Sequence, residues 1–207
     1  MGTSDREGSR SQRRKAETRA RILRAGNELF SARGYGGTSM EGIAEVADVA
    51  VRTLYLHFPS KAAILLGFQD DWVDAFVDRV CARPLAEPVA DSVAHALDQL
   101  VADGWPDATF GAMPEPHPVV DLIADGAPDI AGHILQGWIR AQEQMIRAWA
   151  PRCPPGSLVP ATRAAAVFTS WIATLLVVRD GYRSGTLDPA SSGNAVGREV
   201  VAHLPLV

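Results

Sequence analysis

Side chains that can contact nucleic acid cluster within a short stretch of the chain. Residues 50–61 read AVRTLYLHFPSK, and this stretch carries a guanidinium, a phenol, an imidazole, an ammonium group and hydroxyls. A guanidinium can pair with guanine through two hydrogen bonds, and hydroxyls and cations bind phosphate oxygens. These residue types indicate a surface for a duplex, provided that a rigid element presents them together.

Residues 38–58 predict such an element: two short helices joined by a tight turn, the second of which can enter a major groove. Thr38 as N-cap and Glu41 three residues later form a capping box, which starts the first helix. Ala44 is small enough for the two helices to approach closely. Asp48 lies where the turn needs a positive φ, a conformation that Asp tolerates better than most side chains.

The core of this helix pair determines which residues stay exposed. Val49 and Leu54 are expected to fill the space between the two helices. The second helix would then expose Ala50, Val51, Arg52, Thr53, Tyr55 and His57.

The charge distribution supports a nucleic-acid surface at one end of the chain. The 207 residues carry a net charge of −4. Residues 1–61, however, hold 11 of the 20 Lys and Arg residues and only 7 of the 24 Asp and Glu residues. A basic N-terminal part followed by an acidic remainder is typical of a protein that meets nucleic acid with one end only.

Apolar periodicity predicts helices along the rest of the chain. A helix over about residues 14–33 would end at Gly34, and Ser60 would cap one long helix with an apolar stripe from Leu65 to Val80. Further helices are expected near 89–100, 130–149, 161–182 and after Pro189. Residues 103–118 contain four prolines and are expected to be irregular.

These elements predict an all-α fold of about nine helices, since no segment alternates convincingly at period two. A disordered basic arm is expected at residues 1–13 and a three-helix head at residues 14–61. A larger helical domain for ligand binding and dimerisation is expected at residues 62–207.

Residues 37–65 resemble the head of the tetracycline-repressor (TetR) family. The resemblance rests on Thr38-Ser39, Ile43-Ala44, Thr53-Leu54-Tyr55 and His57-Phe58, and the run TLYLHFPSK is close to that family's most recognisable string. The preceding helix and Gly34-Tyr35 also match. Two departures are Asp48, where the family usually has Gly, and Arg52, where a small residue is common.

The resemblance implies roles for eight residues of the head. Thr38 and Ser39 would hold phosphate, His57 and Lys61 would contact phosphate, and the residues facing bases or backbone would be Val51, Arg52, Thr53 and Tyr55. It further implies a cytoplasmic, bacterial, homodimeric repressor that binds a palindromic double-stranded operator. A small, largely apolar effector would release it from the operator.

The larger domain is rich in aromatic side chains, which suits an apolar ligand pocket. The candidate ligand-binding residues are Phe68, Trp72, Trp105, Phe110, Met113, His117, Trp138, Met145, Phe168 and Trp171. Each tryptophan could equally belong to the core. A dimer interface is expected on the last two helices, because their apolar arcs are too wide for a soluble monomer to expose.

Other function classes find little support in the residues. No cofactor and no metal are expected: no His pair is spaced i, i+4, and Cys81 and Cys153 share no cluster. No catalytic residue stands out, since HExxH, CxxC and the P-loop are absent. The longest uncharged stretch, 164–178, has 15 residues, short of a membrane span. The alternative classes are an enzyme, a helical small-molecule-binding protein and an adaptor without operator binding.

Overall fold

The computed structural model describes residues 4–105, 128–187 and 193–203. These residues form nine α-helices and no strand, which confirms the all-α prediction. The helices are α1 (Ser4–Arg33), α2 (Met40–Val46), α3 (Val51–His57), α4 (Lys61–Leu65), α5 (Gly67–Ala82), α6 (Val89–Ala102), α7 (Pro128–Trp149), α8 (Val159–Ser184) and α9 (Gly193–His203), with a 3-10 turn at Ala150–Arg152. The chain divides into two compact units, Met1–Phe68 and Gln69–Val207.

The first unit folds α1 to α4 around one small apolar core. Its centre is formed by four fully buried side chains, Ile22, Ile43, Leu54 and Ile64, one from each helix. Helix α1 packs against α2 and α4, and α2 packs against α3. The apolar side chains of α1, which recur at helical spacing, therefore face this core, as the sequence predicts.

Helix α1 is longer than the sequence predicts. It begins at Ser4, so residues 4–13 continue the helix and the expectation of a disordered arm is wrong there. The segment carries Arg, Gln and Glu, which are good helix formers, but it has no apolar stripe. A test based on apolar periodicity could not detect it.

Ser60 caps a helix as predicted, but the helix after it is shorter than expected. The Ser60 hydroxyl accepts a hydrogen bond from the Ala63 amide at 3.1 Å. Helix α4 ends at Leu65, and α5 begins at Gly67. A Cβ on Gly67 would lie 2.5 Å from Cδ2 of Leu23 and 3.3 Å from Cε1 of Phe58, so the Leu23 side chain would have to shift to admit a larger residue.

The second unit has a larger core built by α5 to α9. Its largest fully buried side chains are Trp149, Leu100, Ile130, Met145 and Val167. Helix α8 packs against α6, α7 and α9, and α9 also packs against α6. Helix α8 is therefore the central element of this unit.

A buried arginine attaches the start of α8 to the connection between α5 and α6. The Arg163 guanidinium donates to the carbonyl oxygens of Leu85 and Glu87, at 3.3 and 2.7 Å, and to the Ser92 hydroxyl at 2.6 Å. Burial lowers the pKa of Arg163, but the three hydrogen bonds that its guanidinium donates offset part of the cost of desolvating the cation.

One stretch of α8, Val159–Val177, is long and apolar enough to cross a membrane by length and composition alone. It is longer than the uncharged stretch noted in the sequence because it includes the charged Arg163. The core helix of a soluble protein passes the same test, and Ala164 and Val167 of this stretch lie in the core of the second unit.

Candidate nucleic-acid interface and ligand cavity

The turn between α2 and α3 has the backbone conformation that the sequence predicts. Asp48 has a φ of +50°, and among the described residues it is the one non-glycine position with a positive φ. The Val49 amide donates to the Ala44 carbonyl at 3.0 Å, and Ala44 is buried against the neighbouring helices. The left-handed residue redirects the chain within the four residues that separate α2 from α3.

The N-cap of α2 lies one position later than the capping-box pattern predicts. Ser39, not Thr38, is the N-cap: its hydroxyl accepts from the Gly42 amide at 3.1 Å. The Thr38 hydroxyl is buried and donates to carbonyl oxygens of the preceding turn, with Gly34 at 2.9 Å and Leu29 at 3.2 Å. Thr38 thus fixes the end of α1, and Ser39 leaves its hydroxyl at an exposed helix start.

Helix α3 buries one side chain and exposes most of the others. Leu54 is fully buried, which is the anchor that the sequence predicts. Val51, Arg52 and Tyr55 are exposed, and Thr53 is half-buried. Leu56, which the sequence does not single out, is 76% exposed.

Lys61 is bound within the first unit. Its Nζ donates to the carbonyl oxygens of Tyr35 at 2.6 Å and Thr38 at 2.9 Å. The same nitrogen lies 4.1 Å from the centre of the Tyr35 ring, within range of a cation–π interaction. Lys61 therefore ties α4 to the turn that precedes α2.

His57 ends α3 in a partly buried setting. Burial lowers the pKa of His57, and the positive charges of Lys15 and Arg19 lower it further. The imidazole is therefore neutral at pH 7. Nδ1 is buried and has no hydrogen-bond partner among the described residues, which leaves Nε2 as the nitrogen available to a phosphate.

The second unit contains a small apolar cavity of about 20 Å³. Four of the predicted ligand residues line it, together with valine, alanine and phenylalanine side chains of α5, α7 and α8. The predicted lining residues are Trp72, Met145, Phe168 and Trp171.

Aromatic rings line one wall of this cavity, and a further ring packs behind that wall. Trp138 packs edge-to-face against Phe168 and Trp171, with ring centres 5.9 and 5.2 Å away. Trp72 stacks on Phe76 at 5.4 Å. The indole nitrogens of Trp72 and Trp138 are buried and have no hydrogen-bond partner in the part of the chain described. The wholly apolar lining of the cavity suits a mostly apolar ligand.

The remaining predicted ligand residues do not line this cavity. Phe68 is 42% exposed, and Trp105 is half-buried against the core of the second unit. Phe110, Met113 and His117 lie outside the described residues.

An open groove runs between α8 and α9. It is lined by apolar and polar side chains of both helices, including Leu176, Val177 and Val200. Leu176 and Val177 are 55% and 47% exposed. Leu175, the residue before them, is buried.

No group of three or more metal-ligating side chains occurs within residues 4–105, 128–187 and 193–203. His133 does have a carboxylate partner: its Nε2 lies 2.8 Å from an oxygen of Asp70. This pair joins α7 to α5 within the second unit.

Comparison with known proteins places the helix pair in a family. Residues 22–67 match the family model described as "Bacterial regulatory proteins, tetR family". The repressor KstR of Mycolicibacterium smegmatis is 47% identical over 71 residues, 33% of each chain. The regulator TcmR of Streptomyces glaucescens is 44% identical over 55 residues, 27% of this chain and 24% of the relative. Residues 22–67 therefore form a domain similar to the DNA-binding domain of TetR-family regulators.

The likeness to the rest of a TetR-family protein concerns the fold. The structure of Thermus thermophilus FadR, a TetR-family repressor solved with lauroyl-CoA, covers 89% of this chain and 91% of its own, with a TM-score of 0.52 and 18% identity. The matches to the curated relatives span about a third of their length or less. The relatives are named as regulators or repressors, in agreement with the prediction of a non-enzymatic protein.

Proposed function

We propose that this chain is a cytoplasmic, ligand-responsive regulator of the TetR family that represses transcription by binding a palindromic DNA operator. The observation that carries the proposal is the geometry of α2 and α3. The left-handed Asp48 and the buried Leu54 fix α3 on the first unit. The outer face of α3 is left with exposed Arg52 and Tyr55 and no acidic side chain.

The exposed residues of α3 supply the contacts to DNA. Arg52 reads a base edge, with guanine as the partner that suits its two donors. Val51, Thr53 and Tyr55 contact bases or backbone, and neutral His57 donates a hydrogen bond to phosphate.

The start of α2 supplies phosphate contacts. The Ser39 hydroxyl accepts from the Gly42 amide and keeps its own proton for a phosphate oxygen. The Thr38 hydroxyl already donates to the Gly34 carbonyl oxygen within the first unit. Thr38 therefore contributes by positioning the start of α2. Lys61 holds the same turn with two N–H donors, and its third donor is left for phosphate.

The groove between α8 and α9 supports the dimer. Exposed Leu176 and Val177 next to Val200 form an apolar surface that a second copy would bury. A two-fold dimer presents two copies of α3 to two half-sites, which explains a palindromic operator.

The cavity of the second unit supports regulation by a small molecule. An effector that binds better to a conformation unsuited to the operator would shift the population away from DNA. By linkage, DNA must weaken effector binding by the same factor. The cavity lining favours a mostly apolar effector, and side chains would have to move apart to admit it.

The DNA proposal is tested by selection of duplexes from a randomised pool, followed by affinity measurements. We expect the wild-type protein to enrich an inverted repeat. Arg52→Ala should lose about 1–3 kcal/mol of discrimination at one position in each half-site. Arg147→Ala is the matched control, because Arg147 is exposed in the second unit and pairs with Glu143 on its own helix. Enrichment of no sequence by the wild type would refute the proposal.

The effector proposal is tested by a thermal-shift screen of small apolar molecules. We expect hits whose shift disappears in Ala141→Leu, because Ala141 lines the cavity and a larger side chain fills it. Retained operator binding by Ala141→Leu would show that the variant is folded. Hits that shift both proteins equally would place the effector elsewhere.

The dimer proposal is tested by sedimentation of charged variants. Leu176→Glu introduces a charge at an exposed position of the groove, and we expect folded monomers with weakened operator binding. Leu158→Glu is the control, since Leu158 is 75% exposed outside the groove. A monomeric wild type at micromolar concentration would refute this assignment.

A further inference from the structure

Helix α3 exposes two apolar side chains that its proposed polar contacts with DNA do not explain. Leu56 is 76% exposed and Val51 is 38% exposed. At 3.6 residues per turn, the four exposed positions span an arc of about 140°. In order across this arc they are Val51, Tyr55, Arg52 and Leu56, so the two apolar side chains lie at its edges and the polar pair lies between them.

We infer that Leu56 and Val51 read thymine through its C5-methyl group. This inference rests on the proposed function, since it requires α3 to lie in a major groove. Thymine presents a methyl group in that groove and the other three bases do not, so an apolar side chain can distinguish it. Cytosine, with its amino donor, would instead leave a polar group against an apolar side chain.

The surroundings of Leu56 favour DNA over an apolar protein partner. Residues 1–68 hold 11 basic and 7 acidic residues, and α3 contains no acidic residue. Arg52 and Tyr55 separate the two apolar side chains, so these do not form the continuous apolar patch that marks a protein interface. A duplex offers phosphates to the charges and isolated methyl groups to Leu56 and Val51.

The spacing along the helix gives the arrangement of the bases. Leu56 follows Val51 by five residues, a rise of about 7.5 Å. This equals about two base-pair steps when the helix lies along the groove. The half-site is therefore expected to carry two thymines about two steps apart, on either side of the base pair that Arg52 reads.

The test replaces single thymines of a selected duplex by deoxyuridine, which removes only the methyl group. Burying one methyl-sized group changes an equilibrium about fourfold. We expect wild-type affinity to fall about fourfold at each of two positions per half-site. In Leu56→Ala the thymine and deoxyuridine duplexes should bind equally at one of these positions, whereas in Leu158→Ala the fourfold difference should persist, because Leu158 is equally exposed outside the first unit. Val51→Ala should abolish the difference at the second position.

Two results would overturn the inference. In one, the wild type binds all deoxyuridine duplexes as tightly as the parent, which would place Leu56 against the sugar–phosphate backbone. In the other, Leu56→Ala loses the same factor on thymine and deoxyuridine, which would show that the side chain and the methyl group are not coupled. Failure of the proposed function looks different, because the wild type would then select no duplex at all. Equal melting temperatures of Leu56→Ala and the wild type would show that folding is unchanged.

Discussion

The two hydrogen bonds of Lys61 predict a stabilising role that can be measured apart from DNA binding. Lys61→Met removes donors to the Tyr35 and Thr38 carbonyl oxygens, at 2.6 and 2.9 Å, and the cation next to the Tyr35 ring. A hydrogen bond with a charged group contributes about 1.5 kcal/mol at the low end of its range. A cation–π contact adds about 0.5–1 kcal/mol at a partly exposed site. The side chain at position 61 regains rotamer freedom in the variant, which offsets about 1.5 kcal/mol of this loss.

The expected net loss is therefore about 2 kcal/mol in the stability of the turn between α1 and α2. Hydrogen exchange of the amides of α2 reports this opening free energy directly. Lys15→Met is the matched control, because it removes the same charge from an exposed position of α1, and we expect a change below about 0.5 kcal/mol. If Lys61→Met exchanges like the wild type, these hydrogen bonds do not stabilise the turn and the structural role of Lys61 is wrong.

Three further predictions follow from contacts and pKa values. Gly67→Ala should destabilise the first unit by about 1–3 kcal/mol in urea unfolding, because the added Cβ would lie 2.5 Å from Leu23; an unchanged midpoint would contradict this. Burial raises the pKa of Cys81 to about 11, so at pH 8 a thiol reagent should modify Cys153 first, and fast modification of a Cys153→Ser variant would count against it. A hydrogen bond from Arg83, with a second from Ser92, lowers the pKa of Glu87 to about 2. The stability that the ionised carboxylate contributes is complete above pH 4.5 and is lost as the pH falls towards 2. Glu87→Gln should flatten that part of the pH profile of the free energy of unfolding.

The sequence predicts the turn of the helix pair well, because its signals are local. Asp48 tolerates a positive φ better than most residues, and the structure shows it at +50°. Leu54 is the apolar residue on a short polar helix, and it is fully buried. Such signals depend on a few neighbouring residues, so a single sequence carries them.

Features that depend on packing between distant segments were predicted less well. Thr38 and Ser39 both suit an N-cap, and only the burial of Thr38 against the end of α1 decides in favour of Ser39. The close contact of Gly67, at the start of α5, with the Leu23 side chain joins residues that are 44 positions apart in sequence. The role of Lys61 depends on carbonyl oxygens that no sequence pattern displays.

For the candidate ligand residues, too, the sequence predicts one part and packing between distant segments decides the other. Aromatic content predicted an apolar site, and four of the ten candidates line one cavity. Which tryptophan lines it and which supports it depends on how α5, α7 and α8 pack together. Trp138, for example, supports Phe168 and Trp171 from outside the lining.

Hydroxyl-radical footprinting of the full-length protein on a selected duplex tests the central claim most directly, that a dimer presents two copies of α3 to one operator. The account predicts two symmetric protected regions on one face of the duplex, separated by about one helical turn or a multiple of it. Protection should disappear in an Arg52→Ala, Tyr55→Ala double variant of unchanged melting temperature. A single protected region, or protection that the double variant retains, would contradict the account.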